Sequence, residues 1–315
     1  MAYTSGGLIQ AQDYNWLAWG GNTSGTYTTS VNNLAVVWGV GDGTYGWGQD
    51  VSAFSTVSAS NTVTAAQWSG LVYHVNKALG HTGDTQLASG SNIGITSGAT
   101  ITSFANVSTA IGTITTNRLS FGAQGSTTTG GNIDDSISTA GALTASYDVK
   151  VTFASTDAAR YFFNAGGELQ YRVDTVSGGG NGRESSVDRL IDGIGGVNYK
   201  AQDNGGRTGS GITLNTNTTT IGYYDQTTSF QTLVAVTDTT AAYTSNTASL
   251  QVRTDDATTT RNSKGATVVF RINLSVTDKT WDDTLSMTLR HRVDIKNPET
   301  TYLATSWGTP TSAGA

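Results

Sequence analysis

Apolar residues recur along this chain with two different periods, and the change of period divides it. Trp68, Leu71, Val72, Val75 and Leu79 fall at three- and four-residue spacing and form one stripe of an amphipathic helix. Thr64 stands at its N-cap position and Gln67 three residues later, the pattern of a capping box. Gly80 is read as its stop, because glycine enters the left-handed conformation cheaply. Ile9, Tyr14, Trp16 and Leu17, with Gln10 and Gln12 among them, echo this segment near the start of the chain. Residues 107–114 predict a further helix, weakened by its Thr and Gly content.

From residue 145 the period drops to two. Residues 145–153 alternate as a strand with one buried side should. Residues 157–165 return to helical spacing and end at Gly166-Gly167, after which Leu169, Tyr171 and Val173 alternate again. Val187, Leu190, Ile191 and Ile194 share a helical face within residues 186–194. Residues 230–236, 249–253, 267–276 and 285–293 predict further strands, with Arg271, Arg290 and Arg292 on the faces opposite Phe270, Leu289 and His291. The expected fold class is therefore α+β. Residues 1–130 would be a docking and assembly region of short helices and Gly-rich loops. Residues 131–315 would be a mostly antiparallel sheet with helices on one face. The Gly, Ser and Thr run at residues 125–132 reads as the linker.

Charge sharpens this division. The chain has 17 basic and 23 acidic residues, and the charged share of 13% is about half that of an average globular protein. Residues 1–130 carry only Asp13, Asp42, Asp50, Asp84, Lys77 and Arg118. Polarity comes instead from Thr, Ser, Asn and Gln, while 7 Trp, 13 Tyr and 8 Phe argue for a folded chain rather than a disordered one. With no cysteine, disulfides and thiolate chemistry are excluded. No run approaches the roughly 20 apolar residues of a membrane helix, and Met1–Ser5 lacks the features of a secretory signal. The expectation is cytoplasmic synthesis, with no membrane partner. Scattered basic residues do not form the concentrated positive field that direct nucleic-acid binding needs.

Candidate chemistry is sparse. His74 and His81 are seven residues apart, too far to chelate one metal from a helix, and His291 is remote in sequence. All three read as partly exposed structural histidines. The pairs Asp134-Asp135, Asp255-Asp256 and Asp282-Asp283 lack the loop pattern of a calcium site and read as turn or solvated residues. Glu168 has no identifiable partner. The glycines of residues 178–183 lack the Lys and Ser or Thr of a phosphate loop, so the stretch reads as a flexible hairpin tip. No catalytic, cofactor-binding or metal residues are assigned, and the chain is read as no enzyme. A polysaccharide-degrading enzyme stays open as a minor alternative, since carboxylate-only glycosidases need no histidine.

Residues 157–169, Asp-Ala-Ala-Arg-Tyr-Phe-Phe-Asn-Ala-Gly-Gly-Glu-Leu, resemble a motif of virion structural proteins from large tailed phages, including those of cyanobacteria. Residues 188–191, the pair Tyr223-Tyr224, and residues 63–68 and 76–83 are similar to further segments of that group. The resemblance spans residues 60–85 and 145–295. It implies an assembly component located in the virion, in tail, baseplate or neck, with other virion proteins and further copies of itself as partners. It brings no catalytic residues and no cofactor. Capsid decoration, or host-surface and glycan binding at a tail tip, are the alternatives. Residues 14–50, rich in Trp and Gly, fall outside it.

Trp16, Trp19, Trp38 and Trp47 are accordingly the interface candidates, because indole combines a large apolar area with a polar handle. Trp68, Phe162, Phe163, Gly166 and Gly167 are read as structural. The aromatic pair would plug a helix against a sheet, and the glycines would permit close approach.

Overall fold

The computed structural model describes residues 9–20, 32–88, 95–96, 101–178, 180–256, 260–278 and 284–314. Met1–Ser5, Gly179 and the pair Asp282-Asp283 lie outside the described residues. The chain divides into two compact units. The first takes residues 1–125, 160–166 and 298–307, and the second takes residues 126–159, 167–297 and 308–315.

The first unit is built on helices α1 (Ala11–Trp19), α2 (Leu34–Trp38), α3 (Ala65–Thr82) and α4 (Phe104–Asn117). In α3 the capping box forms as its sequence requires: the Thr64 hydroxyl accepts from the Gln67 N–H at 3.2 Å, and Gln67 Oε1 accepts from the Thr64 N–H at 2.9 Å. The stripe from Trp68 to Leu79 is buried. Gly80 does not end this helix. It continues through buried His81 and Thr82 and closes at Gly83, whose φ is 76°. Gly80 serves a different purpose, since a Cβ there would lie 2.5 Å from the Tyr302 ring. Thr-rich α4 accommodates its hydroxyls by back-bonding. The hydroxyls of Thr109, Thr113, Thr115 and Thr116 each donate to the carbonyl four residues earlier, at 2.8–3.2 Å. Its apolar residues Val107, Ile111 and Ile114 are buried, and the helix packs against α3. In α1, buried Asn15 both donates to and accepts from the Val57 backbone, at 2.7 and 2.9 Å, so its amide is satisfied within the core.

Helix α5 (Thr156–Asn164) starts in the second unit and ends in the first. The second unit otherwise holds α6 (Gly182–Ile194) and strands β1 (Gln124–Thr128), β2 (Ile133–Thr139), β3 (Leu143–Thr152), β4 (Glu168–Ser177), β5 (Val197–Tyr199), β6 (Asn204–Arg207), β7 (Thr213–Asn217), β8 (Gln231–Thr237), β9 (Thr247–Arg253), β10 (Thr267–Val276), β11 (Leu285–Pro298) and β12 (Thr311–Gly314). They form two sheets. One runs β1-β11-β4-β5-β6, with β2 also alongside β11, and the other runs β12-β3-β10-β9-β8-β7. The pairings are antiparallel, as alternating one-sided strands favour. The fold is thus α+β, with short helices first and antiparallel sheet later.

The inner faces of the two sheets meet through aromatic rings. Tyr171 of β4 and Tyr199 of β5 each place their centroids 5.5 Å from that of Phe270 on β10. Helix α6 packs its buried Val187, Leu190 and Ile191 face against β4, β8 and β9.

Residues 125–132, read as the linker, hold the first break between the two units, and β1 occupies part of them. The glycine stretch read as a hairpin tip is different in its described residues: Gly178 follows β4, and Gly180 and Asn181 lead into α6. Asn181 caps α6 by accepting from the Arg183 and Glu184 N–H groups, both at 3.0 Å.

Candidate interaction site

Within the first unit, a glycine-rich loop follows α2 and is held by side chains distant in sequence. Gly46 has a φ of 93°, and a Cβ there would lie 1.9 Å from the Val40 carbonyl oxygen, so only glycine fits. Arg160 of α5, fully buried, donates to the carbonyls of Tyr45 at 2.6 Å and Val40 at 2.7 Å. One turn later, Asn164 donates to the carbonyls of Gly43, Tyr45 and Gly46 at 2.9–3.1 Å. Arg118 lies 4.0 Å over the Tyr45 ring and bonds both the carbonyl and the hydroxyl of Thr44. Sequence reasoning missed Arg160 and Asn164. Their four-residue spacing on α5 puts them on one face, but nothing nearby in sequence names backbone carbonyls as their targets.

The loop delivers Trp47 into a core of rings. Trp47 packs edge-on against Trp38 at 6.2 Å and His81 at 4.8 Å. Trp19 and Trp38 are buried, with their indole N–H groups donating to Phe54 O at 2.8 Å and Asp50 O at 3.0 Å. Trp68 is buried against Phe104, and Phe162 and Phe163 are buried in edge contact at 5.2 Å. Gly166, with a φ of 93°, lets the Phe121 ring approach, and Gly167 is buried just before β4. Of the four interface candidates, Trp16 alone faces solvent, at 45% exposure.

His74 is partly exposed, as read from the sequence, whereas His81 and His291 are enclosed. His74 is half-buried, with Nδ1 2.8 Å from the Gly70 carbonyl, and burial lowers its pKa. His81 is 2% exposed, and neither ring nitrogen has a hydrogen-bond partner of normal geometry. Burial pushes its pKa down to about 4, against the opposing pull of the Glu299 carboxylate.

In the second unit, fully buried His291 of β11 sits between Asp135 of β2 and Tyr171 of β4. Its Nε2 lies 2.8 Å from Asp135 Oδ2, a pair that becomes ionic only when the ring is protonated and that is misaligned for a hydrogen bond. Its Nδ1 is 3.0 Å from the Tyr171 oxygen. Burial lowers the pKa of His291 and raises that of Tyr171, so the ring is neutral and the phenol protonated at pH 7. An Asp–His–Tyr row of this kind orders the interior of the sandwich.

Of the described acidic pairs, Asp134 and Asp255 are exposed, as solvated residues should be, and each is held by an ion pair. Asp134 and Asp135 lie within β2, and Asp134 grips Arg290 through two bonds of 2.7 and 2.8 Å. Asp255 stands between Lys150 at 2.5 Å and Arg253 at 2.7 Å. Glu168 has partners after all, Lys296 at 3.4 Å and Lys200 at 3.6 Å. Among the described residues, no three His, Asp or Glu side chains converge as metal ligands, and no helix is long and apolar enough to cross a membrane.

One further feature belongs to the first unit. A surface depression of about 400 Å³ lies between the start of α1 and the turn at residues 59–62, lined by Ile9, Gln10, Ala11 and Gln12 on one side and Ala59, Ser60, Asn61 and Thr62 on the other. An antiparallel bridge between Gln10 and Thr62 joins the two sides.

No protein-family model, curated protein or solved structure matches this chain.

Proposed function

We propose that this chain is a structural subunit that works by packing against other chains, in the setting of a tailed-phage particle. The observation that carries the packing mode is the chemistry of its sheet edges. In the sheet running from β12 to β7, the edge strands read Thr-Ser-Ala-Gly and Thr-Leu-Asn-Thr-Asn, without a charged residue or a proline. β1, beside β11 in the other sheet, reads Gln-Gly-Ser-Thr-Thr. A strand edge presents unpaired N–H and C=O groups, and proteins that remain monomeric usually guard such edges with charge, proline or bulges. β7 has a register irregularity between Leu214 and Thr216, yet Leu214 remains 41% exposed. Uncharged edges suit pairing between chains, and contacts of this kind lose little to salt screening. The phage setting itself rests on the resemblance of residues 157–169 and the segments around it.

Sedimentation velocity on the purified chain tests the packing mode. The expected result is a concentration-dependent oligomer that Leu214→Lys together with Ala313→Lys shifts to monomer. A wild-type chain that stays monomeric throughout would refute it. Mass spectrometry of purified phage particles tests the setting, and the polypeptide is expected among their components.

A further inference from the structure

Trp16 is the tryptophan that the core of the first unit does not absorb. It lies four residues after Gln12 on α1, so the two side chains are neighbours on one exposed helix face. Gln12 in turn lines the depression at the start of that helix. We infer that this depression, with Trp16 one turn further along the same exposed helix face, is a binding site for a neutral saccharide.

The chemistry of the lining leads there. None of the lining residues Ile9, Gln10, Ala11, Gln12, Ala59, Ser60, Asn61 and Thr62 is charged. The neighbouring Asp13 carboxylate is turned to the Gln10 N–H at 3.3 Å. Gln12, Ser60, Asn61 and Thr62 are exposed, and their side chains make no hydrogen bond among the described residues, so their amides and hydroxyls are open to a ligand. Ser60 holds a φ of 70°, a conformation that serine adopts uncommonly, and it shapes the turn that forms the second wall. The volume of about 400 Å³ falls in the range of small-ligand clefts, roughly 300–1,000 Å³.

A pyranose offers what these groups can use. Its C–H face stacks on an indole, and its hydroxyls both donate to and accept from amides and hydroxyls. A nucleic acid would require cations, and none of the described lining residues is one. A protein partner would require a wider apolar centre than a lining of Gln, Ser, Asn and Thr provides. This site is independent of the edge-pairing proposal.

The test is retention of the full chain on an immobilised panel of neutral hexose trisaccharides, with sialylated and sulfated saccharides alongside. Binding to at least one neutral trisaccharide is expected. Trp16→Ala should weaken it roughly ten-fold or more, the loss expected of one aromatic anchor, and Gln12→Ala and Asn61→Ala should weaken it less. Near-UV circular dichroism should stay unchanged in Trp16→Ala, because that side chain is exposed. The inference is overturned by no retention on any neutral saccharide, by retention confined to the acidic ones, or by equal binding of Trp16→Ala. Sedimentation of the same samples separates the two proposals: a monomer that binds neutral saccharide keeps this site and removes the edge-pairing reading, and an oligomer that binds none does the reverse.

Discussion

Protonation of His81 should weaken the first unit by a predictable amount. In the unfolded chain its imidazole takes up a proton near the ordinary 6.5, whereas burial holds the folded value at about 4. The sign follows from that order. Above 6.5 neither state is protonated and stability is complete. As pH falls from 6.5 towards 4, the unfolded chain gains a proton that the folded chain does not, and stability declines until the folded ring protonates as well. The gap of about 2.5 pH units, at about 1.36 kcal/mol each, amounts to roughly 3 kcal/mol.

His74 and His291 are also depressed by burial and act in the same direction. The wild type must therefore be compared with His81→Leu, which removes the titration and two unpartnered nitrogens while keeping a similar volume. Six of the seven tryptophans belong to the first unit, so urea unfolding followed by tryptophan emission reports chiefly on that unit. The variant should match or slightly exceed the wild type at pH 7, and its advantage should grow by roughly 3 kcal/mol by pH 4. A difference constant to within about 0.5 kcal/mol across that range, near the error of denaturant extrapolation, would refute the reasoning.

Arg160→Leu should destabilise the same unit by about 2–4 kcal/mol in urea unfolding, because the part-buried carbonyls of Val40 and Tyr45 lose a charged donor. Gly46→Ala should cost about 2 kcal/mol or more in the same assay, through left-handed strain and contact with the Val40 carbonyl. Tyr171→Phe should lower the stability of the second unit by about 1–2 kcal/mol, read by far-UV circular dichroism, because it takes away the hydrogen bond to buried His291.

What could be read in the sequence was local. The capping box at Thr64 and Gln67, the alternation through residues 145–153 and 267–276, and the outward arginines of β11 all depend on neighbours within a few residues, and each appears in the fold. The stop at Gly80 was misread because glycine has two uses, and here close approach of Tyr302 decides between them. Strands β6 and β7, Asn-Gly-Gly-Arg and Thr-Leu-Asn-Thr-Asn, carry no apolar alternation, so pairing with neighbours defines them. The partition into two sheets likewise depends on pairings such as β3 with β10, which lie more than a hundred residues apart. Arg160 and Asn164 were passed over because their acceptors are main-chain carbonyls some 115–121 positions away. The enclosure of His81 has the same origin, since Trp47 and Phe121 close on it from either side in sequence.

Hydrogen–deuterium exchange resolved to β7 and β12, compared between dilute and concentrated protein, probes the packing claim where it is made. The account predicts that outward amides of Thr213–Asn217 and Thr311–Gly314 slow as concentration rises, while the amides of central β10 do not change. Edge amides that exchange at one rate at every concentration would contradict it.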